Sequence, residues 1–342
     1  MNIIIACIAG AIISFGISYG LGYVVIPFLH KLKYGQTISG YVGEHQKKQG
    51  TPTMGGMLFI ISTVVTFIAF VIIDKLMGGD IVGMNEIVSH SMKVKVWSGF
   101  VLAIGFSVIG FLDDYIKVAK KRNMGLTIKQ KTAIQIVVMA GYLLSLYIND
   151  PTGSMFIPFI GMVETKFFFW IIGVAVIFCT TNAVNFTDGI DGLCGSVTLT
   201  AALSFAAIGA LRNCFGVSLL ASVLAGGLVG YLIWNWHPAK VFMGDFGSMF
   251  LGGMIVALAY AVDCPIIILL SGIIYVAEFG SDIIQISYFK LTHGKRIFRM
   301  APIHHHFQKG GWNEVKIVKV FTLVNLSGCL AAAALVYFGN LK

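Results

Sequence analysis

The chain has little charge and lacks the features of a soluble protein. Only 11% of its 342 residues are charged, whereas 57% are hydrophobic and the mean hydropathy is +0.86. This composition excludes an ordinary soluble globular domain. There is also no low-complexity linker and no convincing internal repeat. We therefore expect residues 1–342 to form a single integral membrane domain.

Several common sites and signals are missing as well. The six cysteines are scattered without a Cys-x-x-Cys spacing, which indicates small buried hydrophobes rather than a metal site. No Gly-x-x-x-x-Gly-Lys loop is present, so ATP is not the expected phosphoryl donor. The first apolar run has no basic region before it and no small-residue cleavage site after it, which predicts a retained helix rather than a signal peptide.

What the chain does contain is a series of long apolar runs. A membrane core about 30 Å thick requires about 20 apolar residues per spanning helix. The sequence therefore predicts an all-α polytopic membrane protein with about ten transmembrane helices. The predicted spans are residues 2–26, 54–73, 93–112, 132–148, 167–186, 196–212, 217–233, 248–262, 265–289 and 317–338.

The basic residues predict the orientation of these spans. Three quarters of the 24 Lys and Arg residues lie in the odd-numbered loops between the spans. Positive residues remain on the cytoplasmic side, so we expect the odd loops in the cytoplasm and both termini outside it. The net charge of +9 comes from basic residues that flank the spans. We therefore expect them to bind membrane lipid headgroups and phosphorylated substrates, and we expect no nucleic acid partner.

Every polar motif also lies in an odd-numbered loop. The motifs occupy residues 51–56, 113–114, 182–191, 235–245 and 301–306. This arrangement predicts an active site on the cytoplasmic face. Such a site suits an enzyme that joins a water-soluble substrate to a lipid.

Two adjacent carboxylates, Asp113 and Asp114, close the third span. They meet the negative end of the helix dipole and repel each other, so a positive group must offset them. That group is either a following lysine such as Lys117 or a divalent cation. A solvated helix end with simple ion pairs is an equally good interpretation of this motif alone.

Four polar residues recur every three positions at the end of the fifth span: Asn182, Asn185, Asp188 and Asp191. Amides and carboxylates at that depth are costly unless they bind something, and neighbouring glycines let the backbone turn them toward one pocket. The pattern lacks the alternating ligands and closing Glu of a calcium loop. Structural capping is the alternative.

Further along the chain, Asp245 stands between two glycines ahead of an apolar helix, as an N-cap or as an exposed ligand. The run His304, His305 and His306 follows Pro302, which predicts a turn or short irregular segment. Together with the nearby arginines, these histidines are suited to binding a diphosphate group. Carboxylates beside a phosphate-binding arm indicate Mg²⁺ completed by substrate oxygens, the usual arrangement for phosphoryl transfer.

Together these motifs resemble a known enzyme family. Pro-Thr-Met-Gly-Gly at 52–56, Phe-Leu-Asp-Asp-Tyr at 111–115, the polar series at 182–192 and Phe-Met-Gly-Asp at 242–245 are similar to those of polyprenyl-phosphate N-acetylhexosamine-1-phosphate transferases. Ala-Pro-Ile-His-His-His-Phe at 301–307 narrows the resemblance to phospho-N-acetylmuramoyl-pentapeptide transferases of bacterial cell-wall synthesis.

The resemblance implies Mg²⁺-dependent transfer of phospho-MurNAc-pentapeptide from UDP-MurNAc-pentapeptide to undecaprenyl phosphate, forming lipid I and releasing UMP. It places the metal on Asp245 with support from Asp114, and makes Asp113 the favoured base or nucleophile. It adds His304, His305 and His306 to the catalytic set. The substrate-binding residues that it implies are Lys48, Lys117, Lys121, Lys129, Asn182, Asn185, Asp188, Asp191, Asn235, Phe242 and Gln285.

Two positions depart from the family pattern. Phe246 stands where a small residue, most often Thr, is usual, and Gln308 stands where an acid is usual. Neither removes an implied ligand, but a bulky Phe beside Asp245 would alter the shape of the pocket.

Other functions remain open. A related transferase using UDP-N-acetylglucosamine would need the same chemistry. A secondary transporter is disfavoured because such proteins place ionisable residues near the midplane, whereas most acids here lie at helix ends. A structural scaffold would leave the Asn/Asp pocket unexplained. Apolar outer helices and the family resemblance would permit a homodimer.

Overall fold

The protein is a bundle of long helices with one short β-hairpin. The computed structural model describes residues 2–32, 50–83, 89–120 and 124–339, and the structural statements below concern these residues. Its elements are α1 (Ile3–Lys31), α2 (Met57–Leu76), α3 (Ser89–Ala119), α4 (Ile128–Asn149), β1 (Ser154–Ile157), β2 (Gly161–Glu164), α5 (Phe167–Thr187), α6 (Leu193–Leu211), α7 (Phe215–Asn235), α8 (Gly244–Ala261), α9 (Ile268–Ser271), α10 (Ile273–Leu291), α11 (Ile303–Lys309) and α12 (Glu314–Gly339).

The helices confirm a polytopic membrane protein. Among the described residues, nine helices are long and apolar enough to cross a membrane, and a bent helix pair would make a tenth span. In α6, α7 and α8 at least 72% of the most apolar window is buried, against 22% in α1. The bundle therefore has α6 to α8 at its centre and α1 at its periphery.

Small residues let the central helices approach closely. A Cβ at Gly253 of α8 would lie 2.7 Å from Cα of Ala103 in α3, and a Cβ at Gly99 would lie equally close to the Ala257 methyl group. Close packing through small residues is typical of helices in lipid, where no hydrophobic effect drives helices together. The contact holds the end of α3 beside the start of α8.

The predicted ninth span is broken rather than continuous. Residues 265–271 and α10 meet at an angle of 86°. Asn325 of α12 lies across the break, where its Nδ2 donates to Ser271 O (3.1 Å) and its Oδ1 accepts from Ile274 N (3.4 Å). These bonds replace helical ones that the break removes, which is the condition for irregular backbone at this depth.

The hairpin corrects the all-α prediction. Strands β1 and β2 pair antiparallel, with Ser154 opposite Glu164 and Ile157 opposite Gly161. The turn between them has positive φ at Phe159 (69°) and Gly161 (100°), a conformation that a helix cannot contain. Phe156 N donates to Asp263 O (2.6 Å), so the hairpin is docked against the end of α8.

Candidate active site

Three carboxylates from two helices meet at one end of the bundle. Asp113 and Asp114, near the C-terminus of α3, are both buried, and Asp245 is the second residue of α8. Each residue offers a carboxylate oxygen, and these atoms all lie within 4.8 Å of one another. The predicted convergence of these three acids is therefore present in the structure.

The Asp245 side chain faces the carboxylate cluster and does not cap α8. No side-chain capping bond is present at the start of α8. Instead, Asp245 Oδ1 accepts from Asn185 Nδ2 (3.0 Å), and the same amide nitrogen lies 2.7 Å from Ser248 Oγ. Asn185 thus connects the C-terminal end of α5 to the carboxylate cluster. The sequence predicts that this residue lies in the same pocket.

The motif at 52–56 positions the loop that carries Asp245. Gly55 N donates to Phe242 O (2.7 Å), Gly56 N donates to Met243 O (3.1 Å), and Phe242 N donates to Pro52 O (2.9 Å). A Cβ at Gly56 would lie 2.5 Å from Cα of Gly247, so only glycine permits this approach. The first and seventh loops are therefore joined by their backbones.

Glycines also leave room for the acids themselves. Gly244 has φ of +70°, a left-handed conformation suited to glycine, and its missing side chain would overlap Asp114 Oδ2 and Thr53 Oγ1. Asp114 Oδ2 accepts from Phe246 N (3.0 Å). The Phe246 ring packs edge-on against Phe111, with 5.8 Å between ring centroids, so this unusual residue extends into an aromatic contact with α3.

Two lysines offset part of the carboxylate charge. Lys117 Nζ lies 2.6 Å from Asp113, 3.6 Å from Asp114 and 3.4 Å from Asp245. Lys131 Nζ lies 2.8 Å from Asp245 Oδ2. Two ammonium groups face three carboxylates, so the cluster keeps an acidic excess that can accept a cation.

The sequence interpretation named Lys129 and missed Lys131. Lys129 is exposed on α4, whereas Lys131 is half-buried and reaches the cluster. Side chains two residues apart on a helix point in directions about 200° apart, so only one of Lys129 and Lys131 faces the bundle. The sequence signal that could identify it is Gln135, a polar residue inside the apolar run and one turn further along the same face, which the structure shows to be buried. Lys48 and Lys121 lie outside the described residues.

We predict that Lys131→Met lowers turnover more than Lys129→Met does. Removing the ammonium group at 131 takes away one of the two positive charges beside Asp245, so the cluster would repel the phosphates of a substrate more strongly. Initial rates of the purified variants in detergent would measure the difference. An equal or larger loss at Lys129 would contradict the contact with Asp245.

The remaining polar residues of the fifth loop form a turn after α5, at residues 188–192. Burial, followed by the negative charges of Asp245, Asp114 and Asp191, raises the pKa of the Asp188 carboxyl well above its usual value. Asn182 lies within α5, where its Nδ2 donates to Phe178 O (2.8 Å). The negative charges of the cluster therefore disfavour ionisation of Asp188.

This turn at 188–192 is fixed on one side by the seventh loop and α12. Asp191 Oδ2 accepts from Ala239 N (3.0 Å) and lies 3.0 Å from His237 Nδ1. Asp191 N donates to Glu314 Oε2 (3.3 Å). Asn235, which is buried, accepts from Gly192 N (3.0 Å) and donates to Val241 O (2.9 Å), so its amide joins the two loops.

The three histidines lie on a short helix, which corrects the predicted irregular segment. Helix α11 begins directly after Pro302, whose extended conformation suits the residue before a helix. Successive helical residues point about 100° apart, and the His304 and His305 rings nevertheless lie against each other, with 4.1 Å between their centroids. His304 is buried, His305 Nδ1 lies 2.7 Å from Gln308 Oε1, and His306 Nδ1 accepts from Arg299 N (3.0 Å).

Gln285 and Phe242 complete the predicted set. The segment at residues 295–309, called the basic arm, contains α11. Gln285 binds this arm, since it accepts from Ile297 N and Phe298 N and donates to Phe298 O (3.2, 3.0 and 3.1 Å). Phe242 is half-buried in the seventh loop, beside Asp245 in sequence. Gln308 fills the position of the family's acid by meeting His305 with its amide oxygen.

The residues present fit a magnesium ion. Asp113, Asp114 and Asp245 offer the hard carboxylate oxygens that Mg²⁺ prefers, at spacings that allow two of them to share one ion. Asp191, His237 and Glu314 form a second group with ligand atoms within 4.8 Å of one another. That second group includes an imidazole and is occupied by its own hydrogen bonds, so it suits Mg²⁺ less well.

Comparison with known proteins finds extensive similarity. A model of glycosyl transferase family 4 matches residues 96–263. Phospho-N-acetylmuramoyl-pentapeptide-transferase of Listeria monocytogenes is 41% identical over 321 residues, or 92% of this chain and 93% of the relative. The protein of the same name from Clostridium acetobutylicum is 41% identical, over 95% of this chain and 97% of the relative. That from Clostridium novyi is 39% identical, over 94% of each chain.

Proposed function

The chain belongs to the phospho-N-acetylmuramoyl-pentapeptide-transferase family, and from that premise we propose the substrates and course of its reaction. The protein is a multi-pass bacterial membrane enzyme of peptidoglycan synthesis. It takes phospho-MurNAc-pentapeptide from UDP-MurNAc-pentapeptide and transfers it to undecaprenyl phosphate. The products are lipid I and UMP. The convergence of Asp113, Asp114 and Asp245 carries this proposal, because it gives the cation site that a diphosphate substrate needs.

Asp113 is the group best placed to move a proton. Its Oδ1 accepts from Leu126 N (2.7 Å), which fixes the carboxylate, and its Oδ2 lies beside Lys117. Asp113 removes the remaining proton of undecaprenyl phosphate, and the dianion attacks the sugar-linked phosphorus. The bond from that phosphorus to the UMP oxygen breaks, and UMP departs. The alternative is a two-step course in which Asp113 itself attacks and forms an acyl phosphate.

The other residues bind and orient the two substrates. Lys117 and Lys131 supply positive charge beside the acids, where the phosphates must lie. The turn at 188–192 and the seventh loop form the side of the site expected to bind the nucleotide. The basic arm that carries α11 lies against this turn. Each of these elements is fixed by backbone hydrogen bonds, which limits the reorganisation needed on binding.

Asp245 and Asp114 would hold Mg²⁺, which would withdraw charge from the diphosphate and make UMP a better leaving group. We expect an excess of chelator to stop UMP release and added Mg²⁺ to restore it. Initial rates at several free Mg²⁺ concentrations would measure this. Unchanged activity in excess chelator would contradict the metal site.

The basic odd loops support a cytoplasmic position for this site, with both termini outside. Cysteine substitutions at His293, just after α10, and at Asp150, just after α4, would place probes for a membrane-impermeant thiol reagent near the two ends of the bundle. We expect reagent added outside the cell to modify the cysteine at 150 and not the one at 293. Homodimer formation through the apolar outer helices remains a prediction.

The test of the function is direct. Purified protein is incubated with undecaprenyl phosphate and either UDP-MurNAc-pentapeptide or UDP-N-acetylglucosamine, and UMP is measured. We expect UMP only with the first nucleotide sugar. Release with UDP-N-acetylglucosamine alone would favour the related transferase, and release with neither would contradict both.

A further inference from the structure

Glu278 and His304 form a buried pair outside the carboxylate cluster. Glu278 lies within the apolar helix α10 and His304 lies on α11, and neither side chain is more than 1% exposed. The Nδ1 atom of His304 is 2.9 Å from Oε2 of Glu278. Burying a carboxyl group at this depth costs free energy, so such a residue usually has a function. Its hydrogen-bond partner, His304, indicates which function to look for.

The other edge of the imidazole meets the turn at 188–192. A Cβ at Gly189 would overlap Nε2 of His304, so the ring packs directly against the backbone of that turn. Among the described residues, neither His304 Nε2 nor Glu278 Oε1 has a hydrogen-bond partner. Within the described part of the chain, the hydrogen bond to Glu278 is therefore the polar contact that orients the His304 ring.

The turn is thus held from two sides. Asn235 and Glu314 bind its backbone from the seventh loop and α12. His304 contacts it from the side of α10 and the basic arm. The turn follows directly on the end of α5, where Asn185 donates to Asp245. A shift of the imidazole would therefore move a turn that is continuous with a residue of the acidic cluster.

We propose that Glu278 is a positioning residue that acts through His304. Its carboxylate accepts the Nδ1–H of His304, fixes the plane of the ring, and so seats the turn at 188–192 for a nucleoside diphosphate sugar. This rests on the proposed function, because the turn is assigned there to the nucleotide substrate. The role differs from that of the three acids, which face the reacting phosphates.

The kinetic test separates positioning from general stability. We expect Glu278→Leu, which removes the acceptor, to raise the KM for UDP-MurNAc-pentapeptide about 10- to 100-fold, as loss of an outer-shell partner does. The KM for undecaprenyl phosphate should change far less. Glu278→Gln keeps an acceptor oxygen and should recover most of the loss. In a His304→Ala background, Glu278→Leu should cause no further rise.

One variant on α10 is a matched control. Gly280→Ala adds a methyl group two residues from Glu278, where no neighbouring atom lies within 4 Å. It should keep KM within about twofold of the wild-type value. Additive losses in the double variant, or equal changes in the KM of both substrates, would overturn the proposal.

A second measurement does not require activity. In protein labelled with ¹⁵N-histidine, the His304 signal is identified by its loss in His304→Ala. We expect Nδ1 to be protonated and its proton to be shifted downfield. A His304 that carries its proton on Nε2 alone would overturn the role of Glu278. Absence of UMP release by the wild type would instead contradict the proposed function, and the two failures are therefore distinguishable.

Discussion

Asp245→Asn is expected to lower the rate of UMP release by about 10³-fold, the upper end of what removing one preorganised electrostatic contact costs. The change keeps the size of the side chain and removes its charge. Lys117 and Lys131 would then face a neutral amide, and the site would lose the acid that connects α8 to α3. The cluster would hold a cation much less tightly, since a neutral amide oxygen is a weaker ligand than a carboxylate.

The fold should survive this change. Asn at 245 can still accept the hydrogen bond from Asn185 through its carbonyl oxygen. The thermal unfolding midpoint in detergent should therefore stay near that of the wild type. Asp80→Asn is the matched control, because Asp80 is an exposed acid that pairs with Lys93 beyond the other end of α2. Near-normal turnover in Asp245→Asn would remove this residue from the active site.

Asp113→Asn is the second variant with a large expected effect. Loss of a positioned acid–base group lowers rates by about 10²- to 10⁴-fold. The amide oxygen can still accept from Leu126 N, so the loop after α3 should keep its position. The rate of UMP release at saturating substrates measures the effect on kcat, since binding by Lys117 and Lys131 is retained.

Asp114→Asn gives the comparison that assigns the base. Asp114 accepts from Phe246 N and lies deeper against α8, so its loss should affect cation binding more than proton transfer. Excess Mg²⁺ should restore part of the activity of Asp114→Asn and none of that of Asp113→Asn. Equal recovery in both variants would contradict the assignment. If nucleotide substrate alone gives a phosphorylated Asp113 that can be trapped, the reaction follows the two-step course and not the one-step course.

The positions of the main acids could be predicted from the sequence because they follow from counting helices. Alternate loops of a polytopic protein lie on the same side of the membrane. That rule brings the ends of α3 and α5 and the start of α8 together, and the structure confirms that Asp113, Asn185 and Asp245 meet there. Apolar length alone also predicted about ten spans.

The contacts of individual side chains could not be predicted in the same way. Lys131 rather than Lys129 reaches Asp245 because of the rotation of α4, which depends on packing. The family resemblance implies that Gln285 binds substrate, which stays a prediction, and nothing in the sequence shows that it also hydrogen-bonds the backbone of the basic arm. The break before Ile273 depends on Asn325, which is distant in sequence and lies inside an apolar helix.

The central claim is that the three acids form one cation site, and electron paramagnetic resonance of bound Mn²⁺ tests it most directly. Purified wild-type protein in detergent is titrated with Mn²⁺, and the free ion is measured by its signal. We expect one tight site per chain that Mg²⁺ displaces and that Asp245→Asn abolishes. Equal Mn²⁺ binding by the wild type and Asp245→Asn would contradict it.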